Sequence, residues 1–474
     1  MVFLLWFLLV NTLYSISIRI NGEIIDSLPG QPSDVDFNQY SGYIVTHKFR
    51  GRALFYYFAE AQSEDKFSMP LTLWLGGGHD CSSAAIGMFY ENGPFRPTED
   101  GELVKNQFSW NLASNMLYVD TPIGVAFSYS NTSSDYKIWS DTMTARENLK
   151  FLRKWFIEFS EYRDLDFYIA GDSYGGHLAP QLAELILEYN RKPVHVRPIK
   201  LKGIALGNPL LEKMGLSNVE HLWHYGIIST ELYHLQKRQC DSTRMVQEIL
   251  SGEMSEDCSD INVMISEEIG DDMHKDNLLF QSCQTDQYSS SQRHCLGTET
   301  AKADPCLLTW VDDYLSRPEV QEALHANAST WDSIFHGRNM ILNNLAIDIL
   351  PTLSALLKRG IPLLIYSGDE DLRIPVSHTR ELANVLATRL NLTTMEMNEP
   401  WYDGKQIGGW SQTFGNSGGG EKVANLTFAT VRGGSHFVPN SSPSKALTLF
   451  KAFLKGSPPP NTHPDHYLVA LPKY

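Results

Sequence analysis

The sequence predicts an α/β fold in which helices cover both faces of a mostly parallel sheet. Short runs of apolar and β-branched residues alternate along the chain with stretches in which apolar residues recur every three or four positions. The first pattern is typical of buried strands and the second of amphipathic helices, so their alternation indicates parallel strands joined by helices. The 474 residues are 42% hydrophobic and 20% charged, a composition typical of a globular protein with a large core.

Predicted strands and helices follow one another in a regular order. Residues 43–46 and 53–57 are rich in β-branched and aromatic residues and are expected to pair antiparallel. Residues 71–75 form a nearly continuous apolar run that ends in three glycines, as expected for a strand buried on both faces and followed by a tight loop. The further predicted strands are residues 116–119, 166–170, 201–206, 362–366 and 426–431. The predicted helices are residues 145–159, 178–187, 382–390 and 444–454.

The alternation stops between residues 208 and 315, where five of the six cysteines also lie. Because this stretch follows a strand end, it is predicted to be an insertion that forms a lid. The expected organisation is a first part of the core at residues 18–207, the lid insertion at 208–315, a second part of the core at 316–455 and a Pro-rich tail at 456–474.

The N-terminal residues predict that the protein is exported. Residues 1–10 are almost wholly apolar, but this run is shorter than the roughly 20 residues that a transmembrane helix needs. We therefore predict a signal peptide at residues 1–17, no transmembrane segment, and a secretory route to an extracellular or vacuolar destination. Five Asn-x-Ser/Thr sequons fit this route as glycosylation sites: Asn131, Asn327, Asn391, Asn425 and Asn440.

Charge and cysteine spacing argue against two classes of partner. The net charge is −16 and no dense run of basic residues occurs, so nucleic acid is not an expected partner. No Cys-x-x-Cys occurs, so a zinc site is not expected, and no cofactor is indicated. The cysteines of an exported protein are instead expected to form disulfides.

The pentapeptide Gly171-Asp172-Ser173-Tyr174-Gly175 is a G-x-S-x-G pattern between a predicted strand and a predicted helix. In α/β-hydrolases this pattern forms a sharp turn that exposes the serine oxygen at the edge of the sheet, with small residues on either side because the backbone folds so tightly. The sequence therefore predicts an α/β-hydrolase fold with Ser173 as its nucleophile.

A serine hydroxyl needs a base, and in α/β-hydrolases an acid and then a histidine follow the nucleophile along the chain. His436 follows a predicted strand through a glycine-rich turn, whereas the other late histidines lie in a predicted helix or in the Pro-rich tail. The acid should end a strand, and the strand at 362–366 runs into Asp369 and Asp371. The residues alone do not decide between these two carboxylates.

An oxyanion needs two backbone N–H donors, one of which comes from the residue after the nucleophile, here Tyr174. The second is expected from a loop at an early strand end. Gly76-Gly77-Gly78 fits that position.

Further segments add specific motifs. They are Leu-Pro-Gly-Gln-Pro at 28–32, Gln-Tyr-Ser-Gly-Tyr at 39–43, Trp-Leu at 74–75 leading to Cys-Ser-Ser at 81–83, Glu-Asn-Gly-Pro-Phe at 91–95, residues 124–130, 366–371 and 436–439. Together with the Ser173 pentapeptide they resemble the serine carboxypeptidase family, especially its plant carboxypeptidase-like branch. The resemblance covers essentially the chain that follows the signal peptide.

The resemblance implies that Asp371, rather than Asp369, forms the catalytic triad with Ser173 and His436, and that Gly78 is the second oxyanion donor. It also implies three disulfide pairs: Cys81 with Cys306, Cys240 with Cys258, and Cys283 with Cys295.

Members of the family usually recognise a peptide's terminal carboxylate through an Asn in W-L-N-G-G-P-G-C-S-S and through an acid just before the nucleophile. Here Gly76 stands where the Asn would be, and His79 and Asp80 replace the Pro-Gly pair. The acid is Asp172 rather than Glu, and the resemblance implies that Glu91 is its neighbouring carboxyl.

The resemblance implies a serine carboxypeptidase that removes one residue from a peptide's C-terminus through an acyl-enzyme. Plant acyltransferases of the family, which pass an acyl group from a sugar ester to an alcohol, also carry Asp at the position of Asp172. The altered segment at 76–80 leaves a third class open, a catalytically weak binding protein. The expected substrate is a peptide or a small acyl ester.

Overall fold

The structure is a computed structural model that describes residues 24–77, 81–137, 139–192, 197–274, 276–283, 304–327, 342–416 and 423–461. The predicted signal peptide lies outside the described residues, as does most of the Pro-rich tail. Within the described chain, eleven strands form one sheet in the order β1-β2-β3-β7-β4-β8-β9-β10-β13-β12-β11. Its strands are β1 (Ile24–Ile25), β2 (Gln39–His47), β3 (Arg52–Ala59), β4 (Leu71–Leu75), β7 (Asn115–Val119), β8 (Phe167–Asp172), β9 (Leu201–Gly207), β10 (Leu363–Gly368), β11 (Thr393–Asp403), β12 (Gln406–Gly415) and β13 (Leu426–Val431). A separate two-stranded sheet consists of β5 (Phe95–Pro97) and β6 (Leu103–Lys105).

The six central strands, from β7 to β13 in the sheet order, are parallel, and the strands at both edges are antiparallel. Every residue of β4, β7, β8 and β10 is buried, which accounts for their nearly continuous apolar sequences. The predicted class, a mostly parallel central sheet of an α/β fold, is therefore confirmed.

Helices cover both faces of this sheet. Twelve α-helices are present in the described chain: α1 (Asp141–Glu158), α2 (Gly175–Asn190), α3 (Val219–His224), α4 (Thr230–Gln239), α5 (Ser242–Ser251), α6 (Glu256–Ile269), α7 (Leu307–Leu315), α8 (Pro318–Ala323), α9 (Leu350–Lys358), α10 (Val376–Arg389), α11 (Val438–Ser441) and α12 (Pro443–Leu454). Leu73 of β4 packs in a core with α1, α2, α9 and α10, while Trp74 packs in the opposite core with α7, α12 and a helix at Ser83–Glu91. No described helix has the length and apolar character to cross a membrane.

Helices α3 to α6 lie in the predicted insertion and share a small core of their own. The disulfide Cys240–Cys258 joins the end of α4 to α6 within this core, and this pair agrees with the family resemblance. The predicted partners of Cys283 and Cys306 are wrong, because these two cysteines are bonded to each other with their Cα atoms 4.8 Å apart. A cysteine sulfur can take part in only one disulfide, so neither Cys81–Cys306 nor Cys283–Cys295 is formed. Cys295 itself lies outside the described residues.

The register of the central strands brings their carboxyl ends to one edge. Leu75 pairs with Gly171 at the end of β4, and Asp172 pairs with Gly207 at the end of β8. Ligands of open α/β sheets bind at this edge.

Candidate active site

Ser173 lies at the turn between β8 and α2. Its φ of +49° is in the left-handed region, which is uncommon for residues other than glycine. The turn is held by three backbone hydrogen bonds: the Ser173 N–H donates to the Gly207 carbonyl over 2.9 Å, and the Ser173 carbonyl accepts from Gly176 at 3.0 Å and Leu210 at 2.9 Å. These contacts keep the strained serine at the carboxyl end of the sheet.

Steric contacts explain why the first and last residues of the pentapeptide are glycines. A Cβ atom on Gly171 would lie 2.5 Å from the Leu75 carbonyl oxygen, and one on Gly175 would lie 2.4 Å from the same oxygen. Both glycines are therefore required by the close approach of β4 to the turn.

His436 and Asp371 are in direct contact. The His436 Nδ1 lies 2.9 Å from Asp371 Oδ2, and both side chains are buried. The other Asp371 oxygen accepts backbone N–H groups from Arg373 at 2.7 Å and Ile374 at 3.1 Å, so the carboxylate is held in place. Burial alone would lower the pKa of His436, but the Asp371 carboxylate outweighs it and raises that pKa above its usual value.

Asp369, the other candidate for the acid of the triad, has a different contact. Asp369 Oδ1 accepts a 2.7 Å hydrogen bond from the Gly433 N–H. Asp369 thus caps the turn that precedes His436, whereas Asp371 contacts the imidazole.

Asn208 is a positioning residue that sequence reasoning missed. Its side chain is fully buried, and its amide donates to the carbonyls of Ser435 at 2.8 Å and His436 at 2.5 Å. Its Oδ1 accepts from the Gly368 N–H at 2.8 Å, so one amide links the ends of β9 and β10 to the histidine loop. The available signal was an Asn directly after a buried strand, a position that carries chemistry in α/β sheets.

Residues 276–278 of the insertion also contact the histidine loop. The His436 N–H donates to the Asp276 carbonyl over 3.0 Å, and the Asp276 carboxylate forms an ion pair with Arg373. The Leu278 N–H donates to the Glu370 carbonyl at 3.1 Å. The insertion therefore supports the loops that carry the acid and the histidine.

Glu91 and Asp172 form a buried carboxyl pair next to the nucleophile. Each is 1% exposed, and the Asp172 Oδ1 accepts a 2.7 Å hydrogen bond from the Gly77 N–H. The Asp172 Oδ2 and both Glu91 oxygens are buried without a hydrogen-bond partner in the described part of the chain. Burial, and then the charge of Asp172, raises the pKa of Glu91 well above its usual range, and burial raises the pKa of Asp172 to about 6.

The loop after β4 reaches the nucleophile. A Cβ atom on Gly77 would lie 2.4 Å from the Ser173 Cβ, so this backbone packs directly against the serine. The Gly76 N–H donates to the Ser83 Oγ at 2.9 Å. Gly78, His79 and Asp80 lie outside the described residues.

Four of the five predicted glycosylation sites are exposed: Asn131, Asn327, Asn391 and Asn425. The prediction for Asn440 is wrong, because this residue is 1% exposed and its amide donates a 2.8 Å hydrogen bond to the Tyr90 carbonyl. A glycan has no access to a side-chain amide that is buried in the core.

The chain is similar to several known proteins over most of its length. The family model described as serine carboxypeptidase matches residues 29–456. Among similar proteins of Arabidopsis thaliana, Serine carboxypeptidase-like 45 is 43% identical, with 94% of this chain and 95% of that protein aligned. Serine carboxypeptidase 24 of the same plant is 36% identical, with 98% of this chain and 99% of that protein aligned.

The crystal structure of a prohormone-processing carboxypeptidase from Saccharomyces cerevisiae superposes with a TM-score of 0.67 at 20% identity, covering 89% of this chain and 91% of that one. This likeness shows that the two chains share their fold. Because the family model spans most of the sequence and the plant relatives align almost from end to end, the chain belongs to the serine carboxypeptidase family.

Proposed function

We propose that this protein is a serine carboxypeptidase that hydrolyses the C-terminal peptide bond of its substrates through an acyl-enzyme on Ser173. The observation that carries the proposal is the buried Glu91–Asp172 pair, whose oxygens lack partners beside the nucleophile. A carboxyl that keeps its proton donates a hydrogen bond to a terminal carboxylate, whereas an ionised carboxyl repels it.

In the proposed first step, the Ser173 oxygen attacks the scissile carbonyl and His436 Nε2 takes the hydroxyl proton. Asp371 holds the imidazole through Nδ1 and stabilises the imidazolium that forms. The oxyanion is stabilised by the backbone N–H groups of Tyr174 and Gly78. His436 then returns the proton to the departing amino group, which releases the C-terminal residue and leaves the acyl-enzyme.

In the second step, His436 removes a proton from water, which attacks the acyl carbonyl. Collapse of the tetrahedral intermediate breaks the ester bond, and the proton passes from His436 back to the Ser173 oxygen. The products are the shortened peptide and the free enzyme.

Substrate selection follows from the carboxyl pair. Burial and the charge of Asp172 raise the pKa of Glu91 well above its usual range, which favours the protonated form, and this form can donate to a peptide's terminal carboxylate. Gly76 has no side chain with which to add a second donor. We therefore expect peptide turnover below that of family members with an Asn at this position.

The second candidate is acyl transfer from a sugar ester to an alcohol. Two features favour it: the absence of a side-chain donor at Gly76, and Asp rather than Glu at position 172. Both features concern the recognition of a terminal carboxylate. A sugar ester has no such group, so neither feature should weaken the binding of a sugar ester.

Three assays on the purified protein distinguish the candidates. A fluorophosphonate probe should label the wild type and not Ser173→Ala. Release of a free amino acid from N-blocked dipeptides supports the carboxypeptidase, and ester formation from a glucose ester with an alcohol supports the acyltransferase. A protein that takes up the probe but catalyses neither reaction fits the catalytically weak binding protein.

We further propose a secretory location, extracellular or vacuolar. The two disulfides of the described chain and the four exposed sequons support an oxidising compartment. Glycosidase-sensitive migration of the plant-expressed protein would test this proposal.

A further inference from the structure

A basic cavity lies at the far end of α2 from the nucleophile. Its volume is about 410 Å³, and it is lined by the second half of α1, the turn that follows α1, the last turn of α2 and the segment that leads into β9. Tyr189, on the last turn of α2, lines it, and the helix rise of 1.5 Å per residue places this turn about 20 Å from the start of α2 at Gly175. The cavity is therefore distinct from the candidate active site.

The charge of the cavity is opposite to that of the protein. Five cationic side chains line it, and no Asp or Glu among the described residues does, although the net charge of the chain is −16. The five are Lys150, Arg153, Lys154, Arg163 and Arg197. Within the described part of the chain only Lys150 forms an ion pair, a 2.7 Å contact with Glu147.

Arg163 is the buried member of this group. It is 8% exposed, its guanidinium lies 4.7 Å from the centre of the Phe156 ring, and Nη2 donates to the Arg197 carbonyl. Its Nη1 is buried and has no hydrogen-bond partner in the described residues. A buried guanidinium nitrogen without a partner is costly, and an anion in the cavity would satisfy it.

An arginine on the second half of α1 is also held towards the cavity. The Arg153 guanidinium lies 4.9 Å from the centre of the Tyr189 ring. Stacking on an aromatic ring leaves the edge of the guanidinium, with its N–H groups, available for an oxyanion. Lys154, one position further along α1, also lines the cavity, and its ammonium donates one hydrogen bond to the Val45 carbonyl.

We propose that this cavity binds a small ligand with two or more phosphate or sulfate groups. Guanidinium groups match the geometry of these oxyanions and bind them through paired hydrogen bonds. Five cations exceed what one oxyanion needs, and the volume is in the range of small-molecule sites. The site does not depend on the proposed function, because its residues are separate from Ser173, Asp371 and His436.

Calorimetric titration of the full-length protein with pyrophosphate, and separately with inorganic sulfate, tests the proposal at constant ionic strength. Pyrophosphate should bind saturably, and Arg153→Gln should weaken it about tenfold or more, because a hydrogen bond to a charged group is lost. Arg163→Met should weaken pyrophosphate binding further. If this substitution of a buried residue prevents folding, Lys154→Gln provides a second variant at an exposed position of the cavity.

Arg146→Gln is the matched control, because Arg146 lies exposed on the same helix and does not line the cavity. Ser173→Ala should retain full pyrophosphate affinity, which separates this site from the catalytic proposal. Tighter binding of pyrophosphate than sulfate identifies a phosphate ligand, and the reverse order a sulfate ligand. Absence of saturable binding with both anions, or equal weakening by Arg146→Gln and Arg153→Gln, would overturn the proposal.

Discussion

The Tyr174 hydroxyl donates a 2.7 Å hydrogen bond to Asp141, the first residue of α1. The same carboxylate lies 3.1 Å from Nδ1 of His177, which stacks on the Tyr174 ring. All three side chains are buried, and burial followed by the Asp141 charge raises the pKa of Tyr174. The residue after the nucleophile is thus fixed through its side chain to the neighbouring helix.

This contact predicts a positioning effect on the proposed oxyanion hole. Tyr174→Phe removes the hydrogen bond and should cost about 1 to 3 kcal/mol of stability, because Asp141 loses a buried donor. If the Tyr174 N–H serves the oxyanion, kcat should also fall, by about tenfold, with little change in KM. Steady-state kinetics on an ester substrate would measure both parameters.

Tyr168→Phe provides the matched control. It removes a hydroxyl that donates a 3.1 Å hydrogen bond to the Leu454 carbonyl, away from the nucleophile. An equal fall in kcat in both variants would show that the Tyr174 effect is only a loss of stability.

The nucleophile and its base should behave as one unit. Ser173→Ala and His436→Ala are each expected to remove most of the turnover, and the double variant should lose little more. His378→Ala is the control, because that histidine contacts Glu212 at 2.8 Å rather than the triad acid. Additive losses in kcat/KM for the two active-site variants would contradict a shared mechanism.

The carboxyl pair predicts a pH dependence that separates peptides from esters. As pH rises through about 6, Asp172 loses its proton, and the new negative charge should raise KM for a peptide with a free C-terminus. An ester without a terminal carboxylate is not affected in this way. The ratio of the peptide to the ester kcat/KM should therefore fall with pH, and the ionisation of His436 cancels in this ratio.

Asp172→Asn tests the origin of that dependence. It removes the member of the pair that titrates in this range and leaves the Glu91 carboxyl in place, so the ratio should depend less on pH. A ratio that is constant from acid to neutral pH in the wild type would argue against carboxylate recognition by this pair.

The raised pKa of Asp172 also predicts that the stability of the fold depends on pH. Because the pKa of Asp172 rises from 3.8 in the unfolded chain to about 6 in the folded one, the folded state binds this proton more tightly. Stability should therefore fall as pH rises through this window, by up to about 3 kcal/mol. Asp172→Asn keeps the acceptor for Gly77 and removes the buried charge, so it should stabilise the protein at pH 7 and have little effect at pH 4.

Urea unfolding at the two pH values would measure this difference. Asp34→Asn is the control, because Asp34 is exposed and Lys105 lowers its pKa rather than raising it. Equal stability of Asp172→Asn and the wild type at pH 7 would contradict a buried charge at this position.

The sequence predicts the buried part of the fold better than its edges. Residues 71–75 and 426–431 are predicted with the bounds of β4 and β13, because both strands are largely buried and have mostly apolar sequences. The hairpin of β11 and β12 was missed, since most of β11 is exposed and shows no apolar alternation. The mostly parallel sheet and the antiparallel pair of β2 and β3 could be predicted, but the antiparallel edge formed by β11 and β12 could not.

The candidate site also has residues that the sequence predicts and residues that it does not. Ser173 and His436 are recognisable from local patterns, whereas the choice between Asp369 and Asp371 depends on a hydrogen bond across the chain. The Cys283–Cys306 bond likewise depends on tertiary distance rather than on spacing. Long-range contacts of this kind leave little trace in one sequence.

The most discriminating prediction concerns Gly76. An added Cβ would lie 3.3 Å from the Ser83 Cα, a tight contact that a small backbone shift relieves, so Gly76→Asn should fold. The new amide supplies a donor for a peptide's terminal carboxylate and should raise kcat/KM for blocked dipeptides about tenfold or more, because a hydrogen bond to a charged group is gained. Hydrolysis of simple esters should change less. Gly76→Ala adds the same Cβ without the amide and should give no gain. If Gly76→Asn leaves dipeptide hydrolysis at the level of Gly76→Ala, the missing amide does not limit peptide turnover, and acyl transfer becomes the better account of this site.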